Sequence, residues 1–404
     1  MKKKNYPLDL SAIAYPLMRT RKTESLFRFE ATLDQEADPL LLKESLEETL
    51  RDYPSFRSEI VAGFFAHKLR ENDAPLLVKE DTLPPLSPLR KEETNGYPFR
   101  LAYKGAEIVF EVFHALTDGN VAALFFSDLL SRYVEKREGL PSRLPPRDFT
   151  PTDAFSEIGR KRPLRELSLK RYNGKSVFGL LKDKKNFRLR PRLLSEEIDL
   201  EILKNKAKAQ GATLTEYIAA AYLTAILTEA KNPLEKSVSL FIPIDLRRFF
   251  PTKTLRNFVC FERIDLEKGR TDLTFSSVLA SVCAQFRAKI TAEKMREDLD
   301  DVVTGLSLPL VRYTPLFIKY PVFKLTHKLL NKVRQTAILS NVGSFPLSPQ
   351  IAAHVKSVRF FLNNNRNAPL NLAILSYNGK CRVDLTCGLK VTAIPEKFFS
   401  LLRI

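Results

Sequence analysis

The tightest constraint on this chain is a strand and a helix with almost nothing between them. Glu107–Phe113, with IVFEVF at its heart, is an apolar run of strand length. Val121, Leu124, Phe125, Leu129 and Leu130 then mark one face of a helix over Gly119–Val134. So short a link lays helix against strand, which is the layer logic of an α/β fold. The link reads His114-Ala115-Leu116-Thr117-Asp118-Gly119.

The same alternation recurs along the chain. Ser25–Leu33 places Phe27, Phe29, Ala31 and Leu33 on one side and Arg28, Glu30 and Thr32 on the other, which predicts a half-buried strand. Asp38-Pro39 opens a helix with Asp as N-cap, Leu42, Leu46, Leu50 and Tyr53 form its stripe, and Pro54 stops it. A strand is expected near Phe56–Phe65. Later, a strand near Arg192–Ile198 precedes a helix over Leu200–Ala209 that Gly211 ends. Thr213-Leu214-Thr215-Glu216 is a capping box ahead of an apolar helix, Tyr217–Leu227. Val238–Ile244 and Phe258–Leu266 read as strands, and Phe275–Ile290 as a helix. Asn378-Gly379 suits a type I′ turn joining Leu372–Ser376 to Arg382–Cys387.

At 404 residues the chain is too long for one core. We expect an N-terminal lobe over 1–160, a basic connection over 161–192 and a C-terminal lobe over 193–404, each lobe a mixed β-sheet flanked by helices. The connection is rich in Lys and Arg and carries Gly174, Gly179 and Pro191. No run of 18 apolar residues predicts a membrane span. Pro16 breaks the short apolar stretch after the basic N-terminus, so no signal peptide is expected. The four cysteines lack C-x-x-C spacing and only four histidines accompany them, so no metal site is expected. Reduced thiols in a cytoplasmic protein follow, with Cys260 and Cys283 in the core.

Lys and Arg number 65 against 47 Asp and Glu, a net charge of +18. That field favours anionic partners without choosing among them. No aromatic-basic motif supports nucleic acid. The glycine-rich phosphate motifs and G-x-S-x-G are absent from the sequence. His114 is therefore the candidate for chemistry. It follows a strand end, Asp118 can tie its loop down, and Gly119 removes a side chain beside it. Imidazole is the side chain suited to take a proton near neutral pH. His67, His327 and His354 lack such a setting.

H-x-x-x-D-G after a strand resembles the motif of the chloramphenicol acetyltransferase superfamily. That group includes condensation domains of peptide synthetases, plant acyltransferases of the BAHD type and alcohol acetyltransferase-like proteins. Further segments are similar in the same order: Asp52–Ser58, Gly211–Tyr217, Ile242–Arg248 with Asn257 beyond, and Ser340-Asn341-Val342-Gly343. Phe113 stands where condensation domains carry a first histidine, so the single-His form resembles stand-alone acyltransferases. Arg256 stands where the family has glycine.

The resemblance implies a two-lobed α/β fold with the site between the lobes, and donor and acceptor arriving from opposite faces. His114 would deprotonate an alcohol or amine acceptor for direct attack on a thioester, with no covalent enzyme intermediate. Asp118 would pair with Arg247, or alternatively Arg248. Ser340 and Asn341 would donate hydrogen bonds near the oxyanion or the donor arm. No cofactor is bound permanently; acyl-CoA, or a phosphopantetheine thioester on an acidic carrier protein, is the co-substrate. A condensation-type enzyme and a non-catalytic binding member are the rival readings. The stretch Arg312–Arg334 mixes apolar and basic residues, and it reads either as a face for membrane lipid or a greasy acceptor, or as core-packed helices with solvated lysines.

Overall fold

The computed structural model describes residues 3–20, 24–167, 180, 184–229, 237–330, 336–366 and 368–403. Residues 168–179 and 181–183 of the expected basic connection, including Gly174 and Gly179, lie outside them. The first half runs β1 (Asn5–Pro7), α1 (Ala14–Met18), β2 (Leu26–Leu33), α2 (Pro39–Asp52), β3 (Ser58–Ala62), β4 (His67–Glu71), β5 (Val78–Glu80), α3 (Lys91–Thr94), β6 (Phe99–Lys104), β7 (Glu107–Phe113), α4 (Gly119–Arg137) and α5 (Ala154–Ile158). The second half runs β8 (Phe187–Asp199), α6 (Leu200–Ala209), α7 (Leu214–Glu229), β9 (Val238–Asp245), β10 (Val259–Leu266), α8 (Phe275–Lys289), α9 (Ala292–Leu306), α10 (Pro309–Arg312), α11 (Leu316–Leu330), β11 (Ala337–Ser344), α12 (Pro349–Ala352), β12 (Val355–Leu362), β13 (Leu370–Tyr377), β14 (Lys380–Leu389) and α13 (Ile394–Arg403).

Two sheets organise the molecule. The first has the order β12-β2-β7-β6-β5 and the second β10-β9-β11-β13-β14-β8. In the second sheet β11 runs parallel to both its neighbours, β9 and β13. A small sheet, β1-β4-β3, stands apart. Each large sheet has its own apolar core, one holding Phe29, Phe110, Phe125 and Phe126, the other Tyr222, Ile226, Leu240 and Leu372.

The cores exchange segments. Ala154 and Phe155 already belong to the second core. Conversely, β12 leaves the second half and pairs antiparallel with β2, setting Phe360 opposite Phe29. Phe345, Ile351, Val358 and Phe361 follow it into the first core.

Local chemistry explains most boundaries. The Asp38 carboxylate accepts from the N–H groups of Leu40 and Leu41 and so caps α2. Thr213 and Glu216 cap α7 reciprocally: Thr213 N–H donates to Glu216 at 2.7 Å and Glu216 N–H to Thr213 Oγ1 at 3.3 Å. Asn378 and Gly379 have φ of 46° and 72°, as the β13–β14 turn requires. All four cysteines are buried, and none forms a disulfide among the described residues.

Two expectations are corrected. The strand expected near Phe56–Phe65 is present but shorter, as β3, the first arm of a hairpin: Pro54–Phe56 forms a 3-10 turn, β3 ends at Ala62, and Phe64 and Phe65 sit exposed at the tip before β4. And β2 is buried on both faces, not half-buried. Its polar face is an internal charge network, in which Arg28 pairs with Glu30, Asp81 and Glu111 while Arg100 also reaches Glu111. Charges can be buried when each finds opposite partners.

Candidate active site

The His114 loop sits where the two halves meet. The His114 N–H donates to the Ser25 carbonyl at 2.9 Å, which ties the end of β7 to the start of β2. Asp118 then does two jobs. One carboxylate oxygen accepts from Val121 N–H at 3.1 Å and caps α4. The other accepts from Arg247 Nη1 at 2.8 Å and from Phe258 N–H at 3.0 Å, both in the second half. Thr117 Oγ1 adds a bond to the Leu255 carbonyl.

Arg247 is the hub of the second half's side of the junction. Besides Asp118 it contacts Asp245 at 2.9 Å and donates to the carbonyls of Thr254 and Arg256. Burial works against its charge, but Asp118 and Asp245 more than offset that and hold its pKa above the ordinary value. Asp245 moves the other way: burial and the nearby Asp118 raise it, against the pull of Arg247. Arg248, the alternative partner, is exposed.

The imidazole of His114 has a defined tautomer. Asn257 Nδ2 donates to Asp9 Oδ2 at 3.1 Å and to the His114 carbonyl at 3.0 Å. Both are acceptors, so the amide nitrogen of Asn257 must face them. Its oxygen therefore faces His114 Nδ1, 2.9 Å away, and Nδ1 must carry the proton. Nε2 is left with its lone pair and has no hydrogen bond among the described residues. Tyr15 stacks on the ring with centroids 4.5 Å apart, and Phe27 meets it edge-on at 5.2 Å. Burial pushes the His114 pKa below its usual 6.5, with Asp118, Asn257 and Asp9 pulling back only in part.

Of the remaining sequence candidates, Gly119 opens α4 at the end of this loop, while Ser340 and Asn341 lie on β11. A Cβ on Gly119 would lie 3.3 Å from Val342 and 3.5 Å from Phe360, so the missing side chain admits β11 and β12 rather than opening space for a reactant. Asn341 donates to Thr215 Oγ1 and accepts from Gly343 N–H, which shapes the irregular end of β11. Ser340 is half-buried on the same strand. Among the described residues, no group of three His, Cys, Asp or Glu side chains is placed to hold a metal ion.

Two contributors carry no sequence signal, and a third, Arg256, shows in the sequence only as a departure from the family's glycine. Asp9 lies in an irregular N-terminal segment, and Tyr15 on the short helix α1 that follows it. Arg256 is fully buried and sits 3.7 Å from Asp9, and among the described residues its guanidinium finds no hydrogen-bond acceptor; burial lowers its pKa despite Asp9 and Asp153. An arginine flanking a loop ordinarily reads as solvent-exposed.

No family model matches the chain, and no curated protein matches its sequence. Solved structures do match its shape. Polyketide synthase associated protein 5 from Mycobacterium tuberculosis superposes with a TM-score of 0.65 at 16% identity, over 98% of this chain and 97% of that one. The trichothecene 15-O-acetyltransferase of Fusarium sporotrichioides gives 0.66 at 13% identity, over 100% and 94%. The first condensation domain of the CDA synthetase gives 0.68 at 15% identity, over 99% and 95%. At such identities the likeness speaks to the fold: this chain has the two-lobed architecture shared by chloramphenicol acetyltransferase-like proteins and condensation domains.

Proposed function

We propose that the protein is an acyltransferase that moves an acyl group from a thioester to an alcohol or amine, with His114 as general base. One observation carries this reading. The acceptors around Asn257 put the His114 proton on Nδ1, which leaves a basic Nε2 in a half-buried ring at the junction of two lobes. A lowered pKa keeps that nitrogen unprotonated at neutral pH.

In the proposed step, Nε2 takes the acceptor's proton as its oxygen or nitrogen attacks the thioester carbonyl. The tetrahedral oxyanion collapses, the C–S bond breaks, and the thiolate leaves with the proton from the imidazolium. No bond to the enzyme forms. Asp118 and Arg247 hold the loop and do not touch the reacting atoms. Ser340, half-buried on β11, is the proposed oxyanion donor. Asn341 supports it by shaping the strand end. Acyl-CoA is the proposed donor, and an alcohol acetyltransferase-like O-acyl transfer is the proposed reaction. The surplus of positive charge would steer its phosphates.

The test is free-thiol release from a panel of acyl-CoAs with pooled alcohols and amines. Release that requires an acceptor supports the reading. Release with no acceptor dependence, or none with any donor, contradicts the acyl-CoA proposal. Salt-sensitive transfer from an acidic carrier protein alone would assign the donor to a carrier instead.

A further inference from the structure

An apolar surface stands open beside the site. Phe64 and Phe65 form the tip of the β3–β4 hairpin, and Phe64 is 66% exposed. On α10 and just after it, Leu310 and Tyr313 are 82% and 60% exposed. On α11, Phe317, Ile318, Pro321, Val322 and Leu325 are all exposed. Their spacing of i, i+1, i+4, i+5 and i+8 places them on one helix face. That face would ordinarily be the buried one. Among the described residues of α11, Leu316 is the buried position.

The hairpin and the helices are one unit. Leu316 N–H donates to the Phe64 carbonyl at 2.8 Å. Lys319 Nζ donates to the carbonyls of Phe65 and Arg312, and His67 Nε2 meets Tyr320 OH at 2.8 Å. Phe64 touches both Phe65 and Phe317, and Phe65 reaches Tyr313. So many exposed aromatic and aliphatic side chains in contact mark an interaction surface.

Charge selects the partner. Ser307–Arg334 holds four lysines and two arginines and no Asp or Glu. Of these, Arg312 and Lys324 are exposed at the rim of the patch. The acids of the hairpin lie at its base, where Glu59 pairs with Arg70. A second copy seated face to face would set these cations against their own like. An anionic lipid surface offers hydrocarbon for the apolar face and negative charge for the rim.

We propose that the hairpin tip and α10–α11 seat the protein on an anionic bilayer. No helix among the described residues is long and apolar enough to cross one, so the contact is peripheral. The surface also leads to the site: α11 packs against α1, which carries the Tyr15 ring stacked on His114. The bilayer would then present amphiphilic alcohols or amines as acceptors, a consequence that rests on the acyl-transfer reading, whereas the docking does not.

The test is co-sedimentation of the full chain with vesicles of phosphatidylcholine alone and of an equal mixture with phosphatidylglycerol. We expect binding to the mixed vesicles that weakens as salt rises. Phe64→Ser with Phe317→Ser should lower the partition coefficient by roughly tenfold or more. Arg312→Glu with Lys324→Glu should abolish the preference for anionic lipid. All variants should keep wild-type circular dichroism and thiol release with a water-soluble acceptor. Wild-type protein remaining in the supernatant, or both double variants binding like wild type, would overturn the docking. So would concentration-dependent dimers that disappear in the Phe64/Phe317 variant without vesicle binding. Vesicle binding without any acyl transfer would leave the docking standing and remove the reaction, so the two failures are distinguishable.

Discussion

At the residue scale the account turns on how one imidazole is held. Asn257 fixes the tautomer of His114, and Asp9 fixes Asn257. Asn257→Ala should therefore lower kcat by about 10- to 100-fold while KM changes little, as expected for a residue that positions a catalytic group. The pH profile gives a second check. Burial holds the His114 pKa below 6.5, so kcat/KM should be flat at neutral pH and fall with acidification only below that value. A profile that bends at or above 6.5 would contradict the buried, Asn-held ring. Much of this site was legible: His114, Asp118, Arg247 and Asn257 all lie in short motifs at fixed spacing. Asp9 and Tyr15 were not, because an irregular stretch and a five-residue helix are too short to show a periodicity. Nor was Arg256, whose burial depends on tertiary contacts with Asp9.

At the scale of elements, two buried charge sites carry the predictions. The Asp118–Arg247 pair ties the α4 N-terminus to the loop after β9. Asp118→Ala would leave Arg247 with Asp245 as its carboxylate partner and remove the α4 cap, and should cost about 1–3 kcal/mol, read by urea unfolding. On β14, Asp384 is fully buried and accepts from Phe360 N–H, which pins β12 to β14. Burial pushes its pKa from 3.8 up to about 7, against the pull of Ser195, Phe360 N–H, Arg382 and Arg359. Between those values the unfolded chain releases its proton first, so stability falls as pH rises from about 4 to 7 and is level above. Asp384→Asn keeps the acceptor and removes the ionisation. It should raise Tm at pH 8 and leave it nearly unchanged at pH 4, whereas equal effects at both would contradict a shifted Asp384. Elements with local signals, such as the α7 capping box and the Asn378-Gly379 turn, could be read directly. The burial of β2 could not, since Arg28 meets Asp81 and Glu111 from 53 and 83 residues away.

At the scale of the whole molecule, strand–helix alternation pointed to two lobes, but nothing in it foretold that β12 crosses back to β2. Both strands are apolar, and their pairing is settled by register between Phe360 and Phe29 and by the Arg359–Glu30 ion pair. That crossover puts Phe360 beside Gly119 and so builds the site from both halves. The central claim is that this junction makes His114 a base. The most direct measurement is acceptor-dependent thiol release by the wild-type protein and by His114→Ala, each with matched circular dichroism. The account predicts a fall of about 10²- to 10⁴-fold in the variant. Equal rates in the two proteins would contradict it.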